Sequence, residues 1–272
     1  DELYLEYHRG TYTTQSDTKK WNRDCEVHLS NAEQLAALAS LYGKPYPHKD
    51  FENAWRGVLF NQFHDILPGS SINPVYKDSD EMYKQSQQIA NHQIDTSITH
   101  LSKLINTRAG KNALPVFIYN SLPWERTDIV SLQLPADDQR FYAVFDDKGR
   151  ELPSQTIPGG RYHQKILFIA RDIPAMGYAI YELRPGKASP RPSSLKALSE
   201  KLENDFFLLI VDTSTGWIQS IFDKRNSRKI LAGYGNQLQL FEDKPEQWDA
   251  WNIGLGKRFP STFREIKLVE SG

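Results

Sequence analysis

The chain has 272 residues, 12% of them aromatic and 25% charged, which is the composition of a globular protein with room for roughly two domains. A formal net charge of −1 gives no electrostatic case for binding nucleic acid or an anionic membrane. No apolar run reaches about 18 residues, so no transmembrane span is expected, and the single Cys25 excludes an internal disulfide and suits a reducing compartment.

The chain opens inside an apparent strand, Leu3-Tyr4-Leu5-Glu6-Tyr7, without an initiator Met or a signal peptide. It stops after a second one at Lys267-Leu268-Val269, and so reads as an internal piece of a longer polypeptide. In the opening strand Glu2, Tyr4, Glu6 and His8 share one face and Leu3, Leu5 and Tyr7 the other. Carboxylates on one strand face serve glycoside chemistry in some enzymes. A solvated strand face is the ordinary alternative.

Three helices are expected next. The first runs from Thr18 to about Tyr42, with Val27, Leu35, Leu38 and Leu41 as its apolar stripe, Ser16 or Asp17 as its cap and Gly43 as its stop. The second runs from Asp50 to about Ile66 on Phe51, Trp55, Val58, Leu59, Phe63 and Ile66, and Pro68-Gly69 ends it. The third starts with Asn73 as cap and Pro74 in the first position. It reaches about Asn106 with Met82, Ile89, Ile98, Leu101 and Ile105 on one stripe. Short connections make these helices an antiparallel bundle over residues 16–112.

The end of the second helix carries Phe63-His64-Asp65. A carboxylate in a helix's last turn faces the negative end of the macrodipole, at a cost of about 0.3–1 kcal/mol. A cation or a ligand hydroxyl beside Asp65 would compensate. A surface or capping pair is the ordinary alternative for His64-Asp65.

After Ala113 the spacing changes to strands. Val116–Tyr119, Ile129–Leu134, Phe141–Phe145, Lys165–Ala170 and Tyr178–Leu183 are separated by turns at Asn120–Pro123 and Asp146–Gly149, which predicts a small β-sandwich over 113–184. Residues 185–200, rich in Pro, Ser and Lys, read as a linker. Leu202–Asp212 and Trp217–Phe222 open a second β-domain over 201–272. The fold class is α+β.

The remaining histidines form no ligand cluster. His28 and His48 lie near helix ends, His92 and His100 on a polar helix face, and His163 in a hairpin. No His-x-His, His-x-Asp or Cys-x-x-Cys occurs, so any metal at His64 needs ligands from elsewhere. Trp248-Asp249-Ala250-Trp251 follows Asp243 and Glu246, a combination that can stack on and hydrogen-bond sugars; packing at a β-edge is the alternative. Gly159-Gly160 and Gly233-Tyr234-Gly235 read as turns and do not fit a phosphate loop.

Four stretches in order carry a resemblance: Glu2-Leu3-Tyr4-Leu5-Glu6-Tyr7-His8-Arg9-Gly10-Thr11-Tyr12-Thr13-Thr14-Gln15, Asn61-Gln62-Phe63-His64-Asp65-Ile66-Leu67-Pro68-Gly69-Ser70-Ser71, Leu202-Glu203-Asn204-Asp205-Phe206 and Trp248-Asp249-Ala250-Trp251. Together they resemble glycoside hydrolase family 38, the α-mannosidases, in its cytosolic and bacterial branch. Phe63 stands where animal Golgi and lysosomal members carry a second His.

The resemblance implies that residues 1–15 end an α/β catalytic domain and that 201–272 begin a larger β-sandwich domain. It implies a zinc ion with His64 as one ligand, Asp65 as a sugar contact, and Glu2 as the acid/base carboxylate with Glu6 in reserve. The nucleophile and the other metal ligands would lie outside this chain. The reaction implied is retaining hydrolysis of terminal α-mannosidic bonds in oligosaccharides, in the cytoplasm, with zinc acting through the sugar hydroxyls. The partners implied are an α-mannoside oligosaccharide and the N-terminal catalytic and C-terminal β-domains of the same polypeptide, without which this chain would be inactive.

An independent carbohydrate-binding or scaffolding module, with sugar contacts from Trp248 and Trp251, is the competing expectation. That module would bury or cap His64-Asp65 and set its indoles in a closed groove. A piece of an enzyme would leave the pair exposed.

Overall fold

A computed structural model describes residues 7–106, 109–110, 112–135, 137–138, 140–158, 164–190, 193–260 and 263–269. Three helices come first, α1 (Ser16–Ser40), α2 (His48–Asn61) and α3 (Asn73–Ser102), after a 3₁₀ turn at Gly10–Tyr12. In α1 the buried positions are Thr18, Asn22, Cys25, Leu29, Ala32, Ala36 and Ala39, at alternating steps of four and three, joined by Leu35. In α3 they are Tyr76, Ser79, Tyr83, Ser86, Ala90, Gln93, Ser97 and Leu101. Steps of three and four keep one face of a helix against its neighbour, and small side chains let the backbones approach closely.

This seam differs from the expected stripes. Val27 and Leu41 are exposed, Leu35 is buried as expected, and the rest of the buried line runs through Cys25, Leu29, Ala32, Ala36 and Ala39. In α3 it runs mainly through Ser, Tyr, Ala and Gln, with Leu101 shared between the two stripes. Some polar groups in the seam have partners, whereas the buried Ser79 Oγ has none among the described residues. The Ser86 hydroxyl donates toward Ala54 O at 3.0 Å and Met82 O at 2.9 Å, and Cys25 Sγ toward Tyr83 O at 3.5 Å. Trp21, Trp55 and Ile89 pack around this core.

The helix boundaries also differ. α2 stops at Asn61 rather than Ile66, because the chain tightens through Gln62 and Phe63 into a left-handed Asp65 (φ 73°) that no α-helix accommodates. α3 stops at Ser102 rather than near Asn106. Neither Ser16, Asp17 nor Asn73 is a side-chain cap. The cap positions are Gln15, itself left-handed (φ 51°), and Ile72, with no side-chain cap bond at either, while Pro74 lies in the first turn of α3, one residue beyond the expected first position.

Seven strands follow: β1 (Leu114–Tyr119), β2 (Arg126–Gln133), β3 (Tyr142–Phe145), β4 (Glu151–Leu152), β5 (Ser154–Pro158), β6 (Gln164–Ile173) and β7 (Tyr178–Pro185). They form two antiparallel sheets, ordered β1-β7-β3-β4 and β2-β6-β5. Val144, Tyr181 and Leu183 of the first share one core with Ile166, Phe168 and Ala170 of the second. Tyr119, at the end of β1, packs with Leu35, Ala39 and Leu101, which seats this strand on the ends of α1 and α3. The Asn120 side chain then ties the turn together. Its Nδ2 donates to Trp124 O (2.7 Å), Ile173 O (3.2 Å) and Pro174 O (3.0 Å), and its Oδ1 accepts from Leu122 N (3.1 Å).

The chain divides into two compact units, Thr11–Pro190 on one hand and Asp1–Gly10 with Arg191–Gly272 on the other. The division falls inside the expected linker, but that linker is partly ordered. Ser189 donates its N–H and hydroxyl to the Glu151 carboxylate at 2.6 and 2.7 Å, and Lys196–Leu198 forms β8 by hairpin pairing with β9 (Lys201–Glu203). β10 (Phe207–Val211), β11 (Ile218–Asp223) and β12 (Arg228–Lys229) complete a sheet ordered β12-β11-β10-β9-β8. β13 (Leu240–Asp243) pairs with β14 (Leu255–Phe259). Residues 263–269 form no strand, against the expectation at Lys267–Val269. No described helix is long and apolar enough to cross a membrane.

Candidate functional site at the His64–Asp65 turn

The turn after α2 is built on backbone bonds that converge on Asp65. Its carbonyl oxygen accepts from Ser70 N (3.0 Å), Ser71 N (2.9 Å) and the Tyr76 hydroxyl (3.1 Å), and that hydroxyl accepts from Ser71 N (2.8 Å). The Ser70 hydroxyl donates to Asp65 Oδ1 at 2.8 Å. These bonds hold Asp65 left-handed, a conformation Asp tolerates better than most residues. Asp65 is therefore not in a helix's last turn. Its setting is this network and not the helix macrodipole considered from the sequence. Asp65 is half-buried, whereas His64 is exposed with its ring against Phe63 at 4.0 Å between centroids. Phe63 is exposed as well, and Ile66 and Tyr76 turn inward to anchor the loop.

Residues that local pattern does not mark hold this turn in place. Gln62 Nε2 donates to Asn22 Oδ1 (3.1 Å) and Glu26 Oε1 (2.9 Å), fastening the end of α2 to α1. Lys19 Nζ donates to Thr14 O (2.6 Å), Leu67 O (2.9 Å) and Pro68 O (3.1 Å). Burial holds the Lys19 ammonium below its ordinary pKa. One signal for Lys19 was present in the sequence. Lysine in a helix's first turn opposes the positive end of the dipole, so it needs acceptors nearby. Its neighbour Lys20 finds Asp24.

Among the described residues no three His, Cys, Asp or Glu side chains stand close enough to hold a metal ion. His64 alone is one donor, short of the four that a tetrahedral zinc site uses. The described part of this chain does not fit a zinc ion unaided. Glu2 and Glu6 lie outside the described residues.

In the other unit, the Trp248–Trp251 stretch sits in the connection from β13 to β14. Trp251 O accepts from Gly10 N at 2.7 Å, and the Trp251 ring meets His8 edge-on at 4.9 Å. A Cβ on Gly10 would lie 2.8 Å from Asn252 O, so this approach requires glycine. Trp248 is exposed, with φ 61°. Neither indole lines the cavity of about 630 Å³ in that unit, whose wall includes Trp217, Asn236, Arg258 and Phe263.

Residues 6–101 match the model of the alpha mannosidase middle domain, and residues 202–272 match that of the glycosyl hydrolases family 38 C-terminal domain. The chain belongs to glycosyl hydrolase family 38. Alpha-mannosidase 2C1 of Mus musculus is 30% identical over 93% of this family 38 chain and 22% of its own length. Alpha-mannosidase G of Dictyostelium discoideum is 28% identical over all of the chain and 27% of its own. The chain thus spans about a quarter of the length of these relatives. A glycosyl hydrolase family 38 protein of Enterococcus faecalis superposes on 81% of the chain, and 30% of its own, with a TM-score of 0.66 at 21% identity, a likeness of fold. The first matched segment holds both Lys19 and the His64–Asp65 turn; the second holds Trp248 and Trp251.

Proposed function

We propose that this chain is part of a zinc-dependent retaining α-mannosidase that removes terminal α-mannosyl residues from oligosaccharides. The observation that carries the reading is the ordered match of two family 38 segments along a chain whose first segment presents His64 on an ordered, exposed turn. The relatives named α-mannosidases support the substrate class.

In this reading His64 supplies one imidazole to a metal whose other ligands come from the rest of the polypeptide. Asp65 contacts the sugar, and Glu2 is the acid/base carboxylate with Glu6 in reserve. A zinc ion held there would engage sugar hydroxyls and stabilise developing charge. The residues of this chain orient the donors. The Asp65 carbonyl network fixes the turn, and Ser70 orients the Asp65 carboxylate. The sheets of the two units are read as the small β-sandwich and the start of the larger one. A cytoplasmic setting belongs to the same proposal, through the resemblance to the cytosolic branch and the free, buried Cys25.

Metal analysis of the full-length polypeptide and two variants tests the residue roles. His64→Ala should lose most of the zinc and most of the activity. Asp65→Asn should lose activity while keeping zinc. Zinc lost equally from both would show that the two roles are wrongly divided.

A further inference from the structure

We infer that Lys19 is a positioning residue for the His64–Asp65 turn, a cation that clamps it to the chain at Thr14. The inference rests on the α-mannosidase reading for what the turn does, and on geometry alone for how it is held. An ammonium has three donors, and here all three are directed at backbone carbonyls of Thr14, Leu67 and Pro68. Two of these carbonyls belong to the turn that begins at His64. The third lies in the preceding segment, more than fifty residues away in sequence.

The same carbonyl of Thr14 is also approached by Gly69. A Cβ there would lie 2.4 Å from Thr14 O, so the two backbones are in direct contact. The Asp65 network closes the turn on itself through Ser70, Ser71 and Tyr76, and the join to Thr14 is made elsewhere. Lys19 and the Gly69 contact make it. Three carbonyl oxygens gathered around one point repel each other unless a cation sits among them, so removal of the ammonium should open this junction. A displacement on the order of 1 Å at a catalytic constellation can cost about a hundredfold in rate.

The test compares Lys19→Met and Lys19→Arg with the wild type in the full-length polypeptide, by amide hydrogen exchange and by kinetics on an aryl α-mannoside. Lys19→Met should speed exchange across residues 63–71 at least about tenfold, leave the interiors of α1 and α3 protected, and lower kcat by about ten- to a hundredfold with KM little changed. Lys19→Arg, which keeps the charge and two or more donors, should recover part of the kcat. If Lys19→Met unfolds the bundle, the Arg variant carries both comparisons.

Unchanged exchange over 63–71 overturns the clamp and leaves the α-mannosidase reading standing. Faster exchange with unchanged kcat overturns the positioning role. A wild-type polypeptide with no turnover of any α-mannoside takes down the functional reading instead, and the exchange comparison still decides whether Lys19 holds the turn.

Discussion

Gly43 and Gly69 have nearly the same φ, 93° and 92°, in different surroundings. A Cβ on Gly43 would meet nothing within 4 Å, whereas one on Gly69 would lie 2.4 Å from Thr14 O and 2.8 Å from Thr14 C. Alanine at either position accepts a left-handed conformation at a cost of about 1–2 kcal/mol. At Gly69 it must also displace backbone that Lys19 holds, and forced overpacking of that kind adds about 1–3 kcal/mol. Gly43→Ala should therefore destabilise the helical bundle by about 1–2 kcal/mol and Gly69→Ala by about 2–5 kcal/mol, so that the difference isolates the contact with Thr14. The chain has two units, so a single global unfolding curve would mix them. Native-state hydrogen exchange at the slowest amides of α1 and α3 reports the bundle alone. Equal losses from the two substitutions would refute the close approach, and with it the account of how the turn is seated.

Burial pushes the Cys25 thiol up to about 11, with the Asp24 charge adding to the effect. The unfolded thiol ionises first, so bundle stability should be complete below about pH 8.5 and fall as pH rises toward 11. Cys25→Ala should flatten that part of the profile in denaturant titrations. Asn120→Ala removes a side chain that satisfies three carbonyls and one N–H. It should cost about 1–3 kcal/mol or more, read from exchange in β6 and β7. Gly10→Ala should drive the Trp251 segment off the His8 segment, at a cost of about 1–3 kcal/mol, and shift indole fluorescence; an unchanged spectrum would contradict the 2.8 Å approach to Asn252 O.

The three helices are legible because Gly43, Pro68 and Pro74 punctuate them. Their packing faces are less so. A search for large apolar residues at helical spacing passes over Ala32, Ala36, Ser79, Ser86 and Ser97, the small side chains that line the seam between the larger Leu29, Tyr83 and Leu101. The stretch Asn61–Ser71 stood out as a motif, but the reading of its conformation failed at Asp65. Periodicity continues a helix until a Pro or Gly interrupts it, and here the interruption is an aspartate held left-handed by Ser70, Ser71 and Tyr76. The partners of contacts between distant segments leave no local trace, even where a first-turn lysine signals that it needs acceptors. Lys19 joins residue 14 to residues 67 and 68, and His8 meets Trp251 across most of the chain. The short strands β4 and β5 are not legible in the sequence, because two to five residues carry too little alternation to separate from loop.

Hydrolysis of aryl glycosides by the full-length polypeptide, set beside the isolated 272-residue chain and the His64→Ala variant, tests the central claim most directly. The full-length polypeptide should cleave the α-mannoside and spare the β-mannoside, the isolated chain should be inactive, and His64→Ala should lose most of the rate together with its zinc. A His64→Ala polypeptide that keeps stoichiometric zinc and the wild-type rate would contradict the account.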